Sequence, residues 1–380
     1  MKITILGRGN AGCLTALHYG YYTRHIKNIS IELIHDPDIY PEKVGQGTLL
    51  GPPDLLWKAL GINWYNNPIN ATPKFGILYE NWGKINKKTF ASPFPFNHVA
   101  LHYSPVKLQE VILKSGYFKV KEKHIDNYEQ IDSDFIFDCR GKRITNWEEY
   151  DKLISPLNSV LLREEKSKDC DINWTRAVAT PDGWTFVIPN TSQTTSYGYL
   201  YNDEITSTKE ASDNFEELFS LTNKKINNLK FKSYVAKTPI IDERIILGGN
   251  RLFFLEPLEA TAIEAHSFWA RKTFDWIIND VTTPSLITRE ILRYTYQIQN
   301  FIIWHYTYGS KYNTPFWKTS RKLKIKDPEF DRILALSKRL SMTDLFDNMA
   351  RYGQWNAWNF KCWYNGMKKL PNSVYVWEKK

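Results

Sequence analysis

The chain opens on the apolar run Lys2-Ile3-Thr4-Ile5-Leu6, followed at once by glycines, and this predicts a buried strand. Residues 10–24 read as a helix and residues 30–34, ISIEL, as a second strand, so the chain begins with a βαβ unit. A Pro- and Asn-rich stretch from 63 to 105 predicts loop and short strands, and residues 105–115 another helix. FIFDC at 135–139 is a further buried strand, ending in Arg140 and Gly141. Between 157 and 201 short alternating apolar runs are broken by Pro, Gly, Asn and Ser, the pattern of antiparallel sheet. Beyond Pro257 the pattern is helical almost to the end, and no internal repeat interrupts it. An α/β opening, an inserted β-layer and a helical C-terminal part together predict a two-domain flavin or nicotinamide fold.

With 380 residues, 42 % of them apolar and 24 % charged, the chain is of enzyme size and is neither disordered nor fibrous. No run approaches the roughly 18 apolar residues of a membrane helix, and Ile3 to Leu6 is too short for a signal-peptide core. A cytoplasmic location is expected. Cys13, Cys139, Cys170 and Cys362 lie far apart without a CxxC pair, which argues for reduced thiols and against a metal site or a disulfide framework.

The charge is unevenly placed. Residues 309–380 hold 15 Lys or Arg and 6 Asp or Glu, so they carry the whole net charge of +9. Residues 301–380 also contain 17 aromatic rings. Basic residues interleaved with rings could bind single-stranded nucleic acid, but a solvated basic face over aromatic packing is the favoured reading.

Gly7-Arg8-Gly9-Asn10-Ala11-Gly12 is a GxGxxG directly after a strand and at the start of a helix, the context in which that motif predicts dinucleotide binding. Gly7 permits the tight turn, Gly9 a close approach to pyrophosphate, and Gly12 close helix–strand packing. The fingerprint expects an acid at the end of the second strand, to hold the ribose. His35 occupies that place, with Asp36 beside it, so either a shifted Asp36 or a weaker contact must serve. Three further small-residue turns suit a close cofactor approach: Val44-Gly45-Gln46-Gly47-Thr48, Asp138-Cys139-Arg140-Gly141 and Gly248-Gly249-Asn250.

Other segments carry the chemistry. Lys74-Phe75-Gly76-Ile77-Leu78-Tyr79-Glu80-Asn81-Trp82 resembles the segment around the active-site lysine of flavin-dependent halogenases, best known from tryptophan halogenases. Gly183-Trp184-Thr185-Phe186-Val187-Ile188-Pro189 resembles their WxWxIP motif, with Phe186 replacing the second Trp. Phe254-Leu255-Glu256-Pro257-Leu258-Glu259-Ala260-Thr261 is similar to their EPLE[SA]T segment, and Phe301-Ile302, His305-Tyr306 and Thr314-Pro315-Phe316-Trp317 match as well. These blocks occur in family order up to about residue 320, and the last 60 residues lie outside them.

The resemblance implies a Rossmann-like, glutathione reductase-type FAD-binding core over 1–260. An antiparallel substrate-side sheet would be inserted at about 60–105 and 155–240, with a helical, aromatic-rich part over 261–380 covering the substrate. It implies FAD, reduced by a separate flavin reductase, which with O2 and a halide (chloride, bromide or iodide) yields hypohalous acid for a small electron-rich aromatic substrate, indole- or phenol-like. Lys74 would hold that oxidant, by hydrogen bond or as a haloamine, since an ammonium donates three hydrogen bonds and deprotonates readily when desolvated. Glu259 would polarise the oxidant or accept the ring proton. The backbone at Thr261 and Ala262 would bind halide at a helix start, while Trp184, Phe186, Ile188 and Pro189 would keep substrate from flavin.

Gln46 stands where the family usually has Glu, which removes a charge near flavin and halide. A flavin-dependent monooxygenase or oxidase on the same fold is the alternative enzyme, and a nucleic-acid-binding remnant a third reading. A homo-oligomer is compatible with the sequence.

Overall fold

The computed structural model describes residues 1–40, 44–83, 89–94, 98–141, 144–166, 173–190, 194–221, 227–339, 350–368 and 376–377. The chain divides into two units, one of residues 1–71, 101–153 and 233–292, the other of 72–100, 154–232 and 293–380.

The opening strand Lys2–Leu6 lies inside a six-stranded sheet of the first unit, between Ser30–His35 and Phe135–Asp138, both parallel to it. Leu6 stands opposite Ile34 on one side and Asp138 on the other. Lys119–Glu122 and Ile245–Leu247 extend the sheet in parallel on either side, and Ile240–Ile241 closes one edge antiparallel. Central parallel strands are covered on both faces, which is why KITIL and FIF are continuous apolar runs.

Helix Asn10–Thr23 covers one face of this sheet. Its Tyr19 ring lies 5.1 Å from Phe137, and the Tyr19 hydroxyl donates to Thr273 at 3.0 Å, tying in helix Thr261–Ile277. The opposite face packs Leu6, Ile34 and Ile136 against Ile125 and Ile131. The mixed α/β, Rossmann-like core read from the sequence is therefore present.

The second unit is built on an eight-stranded sheet. Its order is Asn227–Lys230, Ser159–Lys166, Thr194–Tyr201, Gly183–Pro189, Thr175–Thr180, Gly76–Glu80, Thr89–Pro93 and Val376–Trp377. All its pairings are antiparallel except Thr175–Thr180 with Gly76–Glu80. Helix Thr208–Phe219 starts in a Ser-x-x-Glu box, the Ser207 hydroxyl accepting from the Glu210 amide at 3.2 Å, and buries Ala211 and Phe215 against Leu161, Tyr199 and Tyr201.

The rings after residue 300 pack on one another. Phe301 stacks on Trp355 at 3.9 Å and Trp304 on Phe360 at 5.2 Å, and Trp363 lies 4.3 Å from both Trp304 and His305. All are buried, while Lys311, Lys318, Lys322, Lys324 and Lys326 are exposed. Among the described residues no helix is long and apolar enough to cross a membrane. Cys13, Cys139 and Cys362 are free and buried, burial pushing the Cys13 and Cys362 thiols up to about 12; Cys170 lies outside the described residues.

Candidate active site

Three turns leave the C-terminal ends of adjacent parallel strands in the first unit and pack together. Gly7 donates its amide to Ile34 at 2.8 Å, Cys139 to Leu6 at 2.9 Å and Gly248 to Asp138 at 2.9 Å. Gly7 has φ 98°, and a Cβ there would sit 2.6 Å from the Cys139 carbonyl oxygen. A Cβ on Gly12 would lie 1.9 Å from the Gly7 carbonyl oxygen, and one on Gly249 would lie 2.8 Å from the Ala11 Cβ. At Gly9 the situation differs: a Cβ would meet nothing within 4 Å. The motif thus has two glycines closed in by protein and one facing open space.

Above Gly9 the helix start is unsatisfied. No side chain caps helix Asn10–Thr23, and its first intrahelical bond runs from Cys13 to Gly9 at 2.9 Å, so the amides of Asn10, Ala11 and Gly12 have no partner within the helix. Around this point the buried atoms Arg8 Nε, Tyr103 Oη, Gln109 Oε1 and His35 Nδ1 also lack a hydrogen-bond partner among the described residues. Gln109 Nε2 donates to Asn10 Oδ1 at 3.1 Å, and the Arg8 guanidinium reaches the Ile39 carbonyl at 3.1 Å. An open glycine, amides without a partner in the helix and orphaned polar atoms fit an anionic dinucleotide. Arg8 could have been noticed inside the motif; Gln109 and Tyr103 carry no sequence signal of their own.

The other predicted cofactor residues have definite places. Asp36 follows strand Ser30–His35 and is engaged: its Oδ2 lies 2.6 Å from His124 Nδ1, and its Oδ1 accepts from the Asp38 amide at 3.0 Å. Gln46 and Gly47 pair antiparallel with Tyr103 and His102, and Thr48 exchanges two hydrogen bonds with Leu101, at 2.8 and 2.9 Å. Val44 and Gly45 lead into this strand. The Asn250 carbonyl accepts from the Tyr234 hydroxyl at 2.7 Å. Asp138 is completely buried and held by Arg140, Arg251 and Tyr128, and these partners keep its carboxyl below the usual range although burial opposes them.

The segment after Pro257 bends sharply into helix Thr261–Ile277. Glu259 and Ala260 both adopt left-handed backbone, φ 72° and 53°, which side-chain-bearing residues seldom do in succession. Glu259 and Thr261 are buried. No side-chain cap hydrogen bond is made at the start of this helix. Glu264, in the first turn, accepts from the Gly51 amide at 3.2 Å and pairs with Arg271 at the same distance.

In the second unit Lys74 ends the strand Thr72–Lys74 with no exposed surface. Its Nζ lies 5.6 Å from the centre of the Phe94 ring. The next residue, Phe75, is fixed on both sides: its amide donates to Asn173 and its carbonyl accepts from Phe94, each at 2.8 Å. Further along, Tyr79 stacks on Phe90 at 4.9 Å and faces His305 Nε2 at 3.3 Å, Glu80 pairs with Arg176, and Trp82 donates to the Ala177 carbonyl at 3.0 Å. The segment is thus anchored at nearly every residue.

Trp184, Phe186 and Ile188 alternate along the buried strand Gly183–Pro189 and so share one face, with the rings of Trp184 and Phe186 6.2 Å apart. Phe186 stands opposite Gly198, and a Cβ on that glycine would lie 2.1 Å from the Phe186 ring. The ring fills the space that a side chain would take.

A family profile, tryptophan halogenase, matches residues 2–128 and 106–375. The chain belongs to that family. The profile extends well past residue 320, so the motif comparison understated its reach toward the C-terminus. Tryptophan 7-halogenase RebH of Lentzea aerocolonigenes is 25 % identical over 484 aligned positions, covering 98 % of this chain and 90 % of the relative. Tryptophan 6-halogenase ThaL of Streptomyces albogriseolus is 27 % identical over 204 residues, 51 % of this chain and only 37 % of the relative's length. Among solved structures, the tryptophan 6-halogenase SttH from Streptomyces toxytricini superposes with a TM-score of 0.79 at 18 % identity, covering 96 % of this chain and 90 % of that one. Xcc4156, a flavin-dependent halogenase from Xanthomonas campestris, gives 0.79 and 18 %, covering 98 % and 89 %. At such identities the superpositions establish the fold, and it is the family's.

Proposed function

We propose that the chain is a flavin-dependent halogenase acting on a small, electron-rich aromatic ring such as an indole. The observation that carries this reading is Lys74: a lysine without exposed surface, inside the segment resembling the family's active-site motif. A lysine is rarely fully buried, because burying an ammonium costs several kcal/mol unless it is paired and hydrogen-bonded.

Bound to the first unit, reduced FAD would supply, with O2, the two-electron oxidation of a halide ion to hypohalous acid. The open face of Gly9, the amides of Asn10 to Gly12, and the turns at Gly249 and at Val44 to Thr48 would hold the cofactor. The amides of Thr261 and Ala262 would hold the halide. Trp184, Phe186, Ile188 and Pro189 would supply bulk between flavin and substrate.

Lys74 would hold hypohalous acid by donating hydrogen bonds to its oxygen. In the haloamine variant, neutral Nζ attacks the halogen and releases hydroxide, which takes up a proton as water. The ring carbon would then attack the halogen, breaking its bond to oxygen or to Nζ, which keeps the electron pair and takes up a proton, and the ring proton would leave to a base, for which Glu259 is the candidate. A separate flavin reductase would supply the reduced cofactor.

The test supplies reduced FAD, O2 and each of chloride, bromide and iodide to a panel of indoles, phenols and pyrroles, with mass-spectrometric readout. Wild type should give a halogenated product, while Lys74→Ala should bind FAD equally well and give none. Hydroxylated product without halogen would favour the monooxygenase reading, and an unchanged rate in Lys74→Ala would remove Lys74 from the chemistry.

A further inference from the structure

Recognition of the adenosine end of the cofactor departs from the usual arrangement. In a dinucleotide fold, the residue ending the second strand accepts hydrogen bonds from the ribose hydroxyls and is normally Asp or Glu. Here that residue is His35, the last of Ser30–His35. Gly7 donates to the carbonyl of the preceding residue, Ile34, so His35 lies directly beside the glycine turn. The Arg8 side chain crosses from that turn to the Ile39 carbonyl, so turn and following loop enclose the same place.

Two observations separate His35 from its acidic neighbour. Both oxygens of Asp36 are committed, Oδ2 to His124 and Oδ1 to the Asp38 amide, and His124 is bridged to Asp126 as well, at 2.8 Å. Those two carboxylates hold His124 above the usual histidine range, which favours the charged partner that keeps Asp36 in place. His35 is 4 % exposed, and its Nδ1 has no partner among the described residues. Its other nitrogen, Nε2, lies 3.9 Å from Glu122. With the proton on Nε2, the nitrogen nearer that carboxylate, the Nδ1 lone pair is the acceptor.

We propose that His35, rather than Asp36, accepts a hydrogen bond from a ribose hydroxyl on the adenosine side of FAD. This rests on the reading of the first unit as an FAD site. Asp36, clamped by His124, shapes the loop instead.

Dissociation constants measured by calorimetry for ADP, 2′-deoxy-ADP and 3′-deoxy-ADP test it, alongside FAD binding followed by flavin fluorescence. In wild type, one of the deoxy compounds should bind about tenfold more weakly than ADP, the worth of one net hydrogen bond in a buried site. His35→Ala should bring all three nucleotides within about twofold. His35→Gln, which keeps an acceptor and the packing, should retain part of the preference and covers the case in which alanine does not fold. Asp36→Asn should keep the wild-type ratio.

A ratio lost in Asp36→Asn but kept in His35→Ala, or no preference in wild type although FAD and ADP bind, overturns the assignment. Failure of wild type to bind FAD at all would instead sink the cofactor reading, and this assignment with it.

Discussion

Replacing Gly9 and Gly12 separately should divide what the glycine motif does for the fold from what it does for the ligand. Gly9 has φ −66° and ψ 176°, which alanine adopts without strain, and a Cβ there meets nothing within 4 Å. Alanine at such a position restricts the unfolded chain and raises stability by about 0.4–1 kcal/mol. Each kcal/mol moves the melting point of a domain of this size by about 2–4 °C, so Gly9→Ala should melt about 1–4 °C higher than wild type. On the proposed FAD site that open space is where the pyrophosphate would come close, and a methyl group there should weaken FAD binding by about tenfold or more, some 1.4 kcal/mol.

Gly12→Ala should behave in the opposite way. Its Cβ would lie 1.9 Å from a backbone oxygen, against an ordinary contact of at least 3.4 Å, so helix and turn must part by roughly 1.5 Å. Overpacking of this kind costs about 1–3 kcal/mol and lowers the melting point of the cofactor-free protein. Differential scanning fluorimetry without ligand, with FAD titrations alongside, separates the two. If Gly9→Ala binds FAD as tightly as wild type, the pyrophosphate does not cross that glycine and the placement is wrong.

Glu259→Gln should slow halogenation at least tenfold with little change in FAD affinity, and single-turnover kinetics with unchanged rate constants would exclude Glu259 as proton acceptor. Ala260→Gly should stabilise the protein by about 0.5 kcal/mol in urea unfolding, because it removes left-handed strain worth about 1–2 kcal/mol while adding freedom to the unfolded chain; a clear loss of stability would contradict the backbone assigned there. Burial, helped by Arg271 at His18, lowers the His18 and His266 pKa values to about 4, so the unfolded chain binds more protons between pH 6.5 and 4. Stability should therefore fall by about 2–3 kcal/mol per histidine as pH drops through that window, and His266→Phe should flatten the urea-midpoint profile, an unflattened profile counting against its burial in the neutral form.

The parallel core was legible because its strands are buried on both sides and so read as unbroken apolar runs, with glycine marking where Leu6 turns into the helix. Burial of Lys74 was not legible. Three residues of strand, Thr-Pro-Lys, carry no periodicity, and the partners of the adjoining Phe75 come from Asn173 and Phe94, distant in sequence. Nor could Leu-Glu-Ala disclose two left-handed residues, since such backbone persists only where the surroundings over-determine it. His35 was visible as a departure, but the commitment of Asp36 to His124 depends on strand Lys119–Glu122 lying alongside, which no local pattern predicts.

The aromatic excess shows how composition can mislead about where chemistry lies. Rings after residue 300 first suggest a binding surface, yet Phe301, Trp304, Trp355, Phe360 and Trp363 are buried against one another as core, apart from Trp363 Nε1, which has no hydrogen-bond partner among the described residues. The segments resembling the family's chemical motifs break the rules of core packing. Lys74 buries an ionisable amine, Glu259 and Ala260 hold backbone that costs about 1 kcal/mol or more each, and buried side-chain polar atoms around the glycine turn lack partners among the described residues. A fold bears such local costs where function returns something for them. Aromatic substitutions in the C-terminal core should therefore lower stability first, whereas changes at Lys74, Glu259 or Gly9 should lower activity or cofactor affinity while leaving the melting point close to or above that of wild type. Inactive Lys74 and Glu259 variants that also melt far below wild type would break this separation.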